Sequence, residues 1–136
     1  MKMLCCVWCL LLASPMLSAQ NPAFKCLKGD CENGLGKCVL PNGAVYEGSF
    51  RQGKMQGLGT MEFPNRDRYS GEWANHMRQG RGRYKFATGD EYLGEFQANA
   101  MQGAGTMTYL DGSKYEGQWY NGQPQGRGVL LQANKD

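Results

Sequence analysis

The stretch from Tyr46 to Asp67, YEGSFRQGKMQGLGTMEFPNRD, returns three more times at a spacing of 23 residues, with no insertion or deletion. Tyr46, Tyr69, Tyr92 and Tyr115 share one column, and Gly48, Gly71, Gly94 and Gly117 share another. An aromatic column follows, made of Phe50, Trp73, Phe96 and Trp119. Two glycine columns complete the unit: Gly57, Gly80, Gly103 and Gly126, then Gly59, Gly82, Gly105 and Gly128. Filled columns at a fixed offset define a tandem repeat, whose unit cannot bury its apolar face alone and must stack on its neighbours.

The period inside each unit is that of a strand. Tyr46 to Phe50 and Thr60 to Phe63 alternate with period two, and no helical spacing appears. Between them lie the triplets Pro41-Asn42-Gly43, Pro64-Asn65-Arg66, Ala87-Thr88-Gly89 and Leu110-Asp111-Gly112. Three-residue hairpin loops end in a left-handed residue, usually Gly. Arg66 is the exception and is expected to be mildly strained. The other connection, around Gly53 to Gln56, reads as a longer loop. Symmetric pairing about the triplet sets Phe63 against Asp67, Met61 against Tyr69, Gly59 against Gly71, and Gly57 against Trp73. A glycine opposite a ring leaves a pit in which the ring can lie. The predicted fold is all-β: an elongated, single-layer, twisted antiparallel β-meander of 23-residue hairpins. Nine strands at ~4.8 Å spacing would make a ribbon on the order of 40 Å wide.

The domain boundaries follow from the same ruler. Residues 44–132 hold four repeats (44–66, 67–89, 90–112 and 113–132), and 133–136 form a tail. Residues 20–43 are a lead-in with a degenerate first half-repeat, since Gly34, Gly36 and Gly43 fall on glycine columns. Residues 1–19 read as a secretory signal peptide, with Lys2, an apolar run from Met3 to Leu12, and a small-residue exit from Pro15 to Ala19. No Cys occurs from 10 to 25, so lipidation is not expected. The expected location is secreted or periplasmic.

After cleavage 14 basic and 12 acidic side chains remain, a net charge of +2. That balance argues against nucleic-acid binding, which shows as a concentrated basic face. Cys26, Cys31 and Cys38 survive processing, and an exported chain oxidises such pairs. Cys38 shares an apolar column with Met61 and Met107, whereas alternation puts Cys26 on the other face. A Cys26–Cys31 bridge closing a tight cap is therefore expected, with Cys38 buried; an intermolecular disulfide through Cys38 is the alternative.

Candidate chemistry is sparse. Glu72 and Glu95 share a column, as do Glu47 and Glu116, but equivalent positions lie two strands, roughly 9–10 Å, apart. That exceeds the ~5 Å of a retaining glycosidase pair, and a single layer offers no cleft to tune a carboxylate. These read as solvated cross-strand charges. One histidine, His76, cannot supply a triad or a multi-histidine zinc site and reads as a surface loop residue. No metal, cofactor or catalytic residue is expected. Gln56, Gln79, Gln102 and Gln125 form a column that either hydrogen-bonds its own loop or presents a polar edge. Arg78, Arg81, Arg83 and Lys85 form a basic cluster, read as ion-paired surface with a phosphate or anionic-lipid site as the alternative. The aromatic face, including Tyr46, Tyr69, Trp73, Tyr92, Tyr115 and Trp119, is core first and a candidate binding groove second.

The unit Y-x-G-x-[FW], followed by G-x-G-x-[MYL] and closed by [ND]-G, resembles the MORN repeat over residues 34–131. The segment CLKGDCENGLG resembles the lead-in of exported bacterial MORN proteins. The resemblance implies an elongated sheet used as an interaction or membrane-associated scaffold, without catalysis of its own. The expected function is a non-enzymatic scaffold binding a protein or an envelope or membrane surface. A carbohydrate or cell-wall module, its aromatic ladder stacking on glycan rings, is the alternative.

Overall fold

The computed structural model describes residues 24–133; the expected signal peptide and its cleavage point lie outside them. The strands are β1 (Lys25–Gly29), β2 (Gly34–Val39), β3 (Val45–Arg51), β4 (Lys54–Glu62), β5 (Arg68–Ala74), β6 (Met77–Lys85), β7 (Glu91–Gln97), β8 (Ala100–Thr108), β9 (Lys114–Tyr120) and β10 (Gln123–Leu131). They form one antiparallel sheet in sequence order from β1 to β10, with no helix among the described residues. The all-β single-layer expectation holds. The strand number is ten where nine were expected, because the lead-in forms a complete hairpin, β1–β2.

The triplet turns fold as their sequence requires. The Phe63 N–H donates to the Asp67 carbonyl at 2.9 Å, and Arg66 takes φ 75° where Gly43, Gly89 and Gly112 stand in sister repeats. The middle side chain locks three of the four turns closely: Asn42, Asn65 and Asp111 accept the N–H two residues on at 2.8–3.0 Å, and Thr88 accepts it at 3.4 Å. Beyond the turn, Met61 pairs with Tyr69, Gly59 with Gly71 and Gly57 with Trp73, the expected register.

The other connection is shorter than expected. Arg51 pairs with Lys54, leaving a two-residue turn of Gln52 and Gly53 with φ 52° and 73°. Asn75-His76, Ala98-Asn99 and Asn121-Gly122 repeat it with both φ values positive. These signs are those of a type I′ turn, whose twist matches the strands. The residues assigned to a loop instead form a bulge. Between the Gly48↔Gly59 and Phe50↔Met55 pairs, Ser49 alone faces Gln56, Gly57 and Leu58. Gly57, Gly80, Gly103 and Gly126 sit in these bulges at φ 75–94°.

The ring-filled pit is therefore the work of the other glycine columns. Gly29, Gly36, Gly48, Gly59, Gly71, Gly82, Gly94, Gly105, Gly117 and Gly128 pair successively, drawing one row of glycine across all ten strands. A Cβ on Gly59 would overlap the Tyr46 ring, and one on Gly82 the Tyr69 ring. Each of Tyr46, Tyr69 and Tyr92 lies on this row and donates its O–H back to its own strand, to the Ser49, Glu72 and Glu95 carbonyls at 2.7–2.8 Å. Its flanks are closed by edge-on rings from two repeats. Tyr46 meets Phe50 at 5.1 Å and Trp73 at 5.3 Å; Tyr69 meets Trp73 at 5.1 Å and Phe96 at 5.0 Å; Tyr92 meets Phe96 and Trp119 at 5.2 Å each. Such edge-to-face pairs contribute about 0.5–1.5 kcal/mol each beyond area burial.

The Cys26–Cys31 disulfide is formed, with its Cα atoms 6.0 Å apart, and Cys38 is fully buried. Cys26 nevertheless lies directly across from Cys38 in the ladder, which corrects the expectation of opposite faces. The glycines that pair across β1 and β2, Gly29 and Gly36, lie much closer in sequence than their counterparts Gly48 and Gly59, so the column ruler slips there. At Gly36 the Cys31 sulfur stands over the glycine row, a place that tyrosine rings hold farther along.

Gly82→Ala is expected to lower stability by at least ~2 kcal/mol in chemical denaturation, because the new methyl must displace the Tyr69 ring. Leu58→Ala, at a side chain 70% exposed on the opposite face, should change it by less than ~0.5 kcal/mol.

Candidate functional site

The residues singled out in the sequence separate onto two faces. Tyr46, Tyr69, Trp73, Tyr92 and Trp119 are 0–4% exposed, so their rings form the floor of the aromatic face, and Tyr115 is half-buried. Burial raises the hydroxyl pKa of Tyr46 and Tyr69 and lifts that of Tyr92 to about 12. The indole N–H groups are also engaged: Trp73 donates to the Gly59 carbonyl at 3.0 Å and Trp119 to that of Gly105 at 3.1 Å. Packed against this floor are the partly buried side chains of Phe63, Tyr84, Phe86, Met101 and Tyr109.

The basic cluster is not one site. Arg81, Arg83 and Lys85 are exposed, and Arg83 pairs with Glu91 at 3.1 Å. Arg78 is on the aromatic face, in the column of Met55 and Met101. Its guanidinium lies over four rings, 5.3 Å from Tyr84, 5.5 Å from Phe63, 5.8 Å from Tyr69 and 5.9 Å from Phe96. Nη2 donates to the Asn99 carbonyl at 2.7 Å, while Nε is buried without an acceptor. Burial pulls the Arg78 pKa down, against the pull of Tyr84, Tyr69 and Asp67.

Asp67 completes this cluster. It is 9% exposed and accepts from the Tyr84 hydroxyl at 2.7 Å, the Ala87 N–H at 2.8 Å and the Asn65 amide at 3.2 Å. Burial alone would raise its pKa, but these hydrogen bonds, with the Arg78 charge, outweigh it and hold the carboxyl below its ordinary 3.8. Sequence reasoning missed Asp67, Tyr84 and Asn99 as partners. Two signals were available: Arg78 breaks a methionine column, and it shares strand parity with Tyr84.

The other candidates have structural uses. Glu72 Oε2 accepts the Arg81 N–H at 2.6 Å and Glu95 Oε2 the Ala104 N–H at 2.9 Å, so both carboxylates satisfy bulge amides. Gln56, Gln79 and Gln102 accept from Asn75, Ala98 and Asn121 at 3.0–3.3 Å. They thus clasp the turn of the following hairpin rather than their own. His76 is half-buried against Phe24, with ring centroids 6.0 Å apart, rather than a free surface residue; burial and the Lys54 charge lower its pKa.

A depression of about 320 Å³ opens beside Arg78 along the aromatic face, walled by Tyr84, Phe86, Phe96 and Met101 and by the tips at Asn99 and Asn121. No group of three or more His, Cys, Asp or Glu suited to a metal occurs among the described residues. No helix among the described residues is long and apolar enough to cross a membrane, which says nothing of strands.

One open sheet of hairpins, each packed on its sequence neighbours, defines a linear β-repeat scaffold. The MORN repeat profile matches residues 32–45, 46–68, 69–91, 92–114 and 115–136, so the chain belongs to the MORN-repeat family. No curated protein matches it. Among solved structures it is similar to the SAS-4 (dCPAP) TCP domain of Drosophila melanogaster, determined in complex with a proline-rich motif of Ana2 (dSTIL). Identity is 18% and TM-score 0.48, over 73% of this chain and 55% of that one, so the match spans about half of that chain.

Arg78→Met is expected to leave stability unchanged or raise it by about 1 kcal/mol, since a partly buried charge gives way to the residue sister repeats use. Tyr84→Phe removes a hydrogen bond to a carboxylate and should cost about 1–2 kcal/mol at neutral pH. Because the folded Asp67 pKa is depressed, its contribution is present above 3.8 and lost as pH falls through the folded value. The gap between Tyr84→Phe and the native chain in urea titrations should accordingly close at low pH.

Proposed function

We propose that this chain is a non-enzymatic scaffold of the secretory or envelope space that holds a partner protein along its aromatic face. The observation that carries the reading is the division of labour on that face. The tyrosine and tryptophan rings are spent on the glycine row, and a set of partly buried apolar side chains packs against them. Partly exposed apolar side chains gathered on one side of a thin sheet are the kind of surface that marks an interaction site.

A protein partner fits better than a membrane surface. The exposed bases lie on the opposite side and are partly neutralised, through Lys37–Glu47, Arg68–Glu62 and Arg83–Glu91 pairs. Glycan stacking needs open ring faces, and Trp73 and Trp119 are each only 4% exposed. The apolar leader with its small-residue exit supports the exported location.

Site-specific photocrosslinking in the native host tests the reading. A photoreactive residue at Phe86 should yield discrete protein adducts, and one at Thr60 on the other side should not. Adducts from Thr60 alone, or none from either, would refute it. N-terminal sequencing of the exported protein should begin at Gln20; an intact Met1 would refute the cleaved leader.

A further inference from the structure

We propose that the depression beside Arg78 seats the carboxylate of a Glu or Asp side chain, borne on an extended and otherwise apolar segment of the partner protein. The inference rests on the scaffold reading and deepens it by assigning the chemistry of the contact.

Packing does not account for Arg78. The equivalent positions carry Met55, Met101 and Pro124, so a neutral side chain meets the structural need. A guanidinium there is partly desolvated, and it holds one backbone carbonyl and four ring faces. No carboxylate among the described residues pairs with it within 4.0 Å. Asp67 acts on it through space only, its oxygens being taken by Tyr84, Asn65 and Ala87. A desolvated charge with no carboxylate in direct contact is costly, and a carboxylate brought by a ligand gains from the same low dielectric.

The shape narrows the ligand. About 320 Å³ admits one or two side chains, and the Phe86, Phe96 and Met101 walls favour apolar neighbours on either side of the acid. A single cation also cannot hold an anionic bilayer, which is bound by clusters of several basic residues.

The test uses the mature chain labelled with ¹⁵N and a degenerate pool of heptapeptides, Glu fixed at the centre and apolar residues beside it. A second pool carries Gln in place of Glu. The expected result is a shift of the Arg78 Nε–H signal and of the Asn99 and Met101 amides, at peptide concentrations at least tenfold lower for the Glu pool. Arg78→Met should abolish that preference while melting no lower than the native chain. Equal response to the two pools, or a preference that survives Arg78→Met, overturns the assignment. If phosphatidylglycerol vesicles move the Arg78 signal and the peptides do not, a headgroup phosphate is the ligand and the assignment again fails. Crosslinks from Phe86 that persist undiminished in Arg78→Met would discard the carboxylate seat and leave the scaffold reading standing. Absence of those crosslinks in the native chain would discard the broader reading itself.

Discussion

The contact on which this fold depends is a tyrosine ring lying flat against paired glycines of neighbouring strands. A sheet of one layer has no second layer to cover its apolar side, so its side chains must shelter one another. Removing every Cβ along one row lets a ring descend onto the backbone itself, and its hydroxyl then reaches a carbonyl of its own strand. Once lowered, each tyrosine offers its flanks to aromatic edges from its own repeat and the next. The core is thus a chain of ring contacts that runs with the sheet, and each hairpin shares its burial with both neighbours.

Much of this was legible because the period is so regular. The triplet turns set the register, and Tyr69 falling opposite Met61 followed from counting alone. What counting missed are places where two structures satisfy the same spacing. A longer loop and a tight turn followed by a bulge use identical numbers of residues, and the two-residue turns place Gln52, His76 and Ala98 at positive φ, where sequence preference argues against them. The role of Gly57 changed for that reason, from a pit beneath a ring to a bend in the strand.

Arg78 failed differently. Charge proximity along the sequence grouped it with Arg81, Arg83 and Lys85, whereas strand parity places it with Tyr84. Linear clustering is a poor guide in a sheet, where adjacent residues face opposite ways. The partners of Arg78 come from three successive repeats, through Phe63, Tyr84 and Asn99, and no single unit contains the arrangement. Repetition supplies the frame, and one departure from it supplies the individuality.

Sequential strand order also has a mechanical corollary. β1 and β10 occupy opposite borders of the ribbon, so tension applied between them meets one seam at a time. Strands would peel rather than shear, each rupture releasing a fixed length of chain while the remaining units keep their shape. A molecule built this way yields gradually under load and re-zips from whatever portion is still intact.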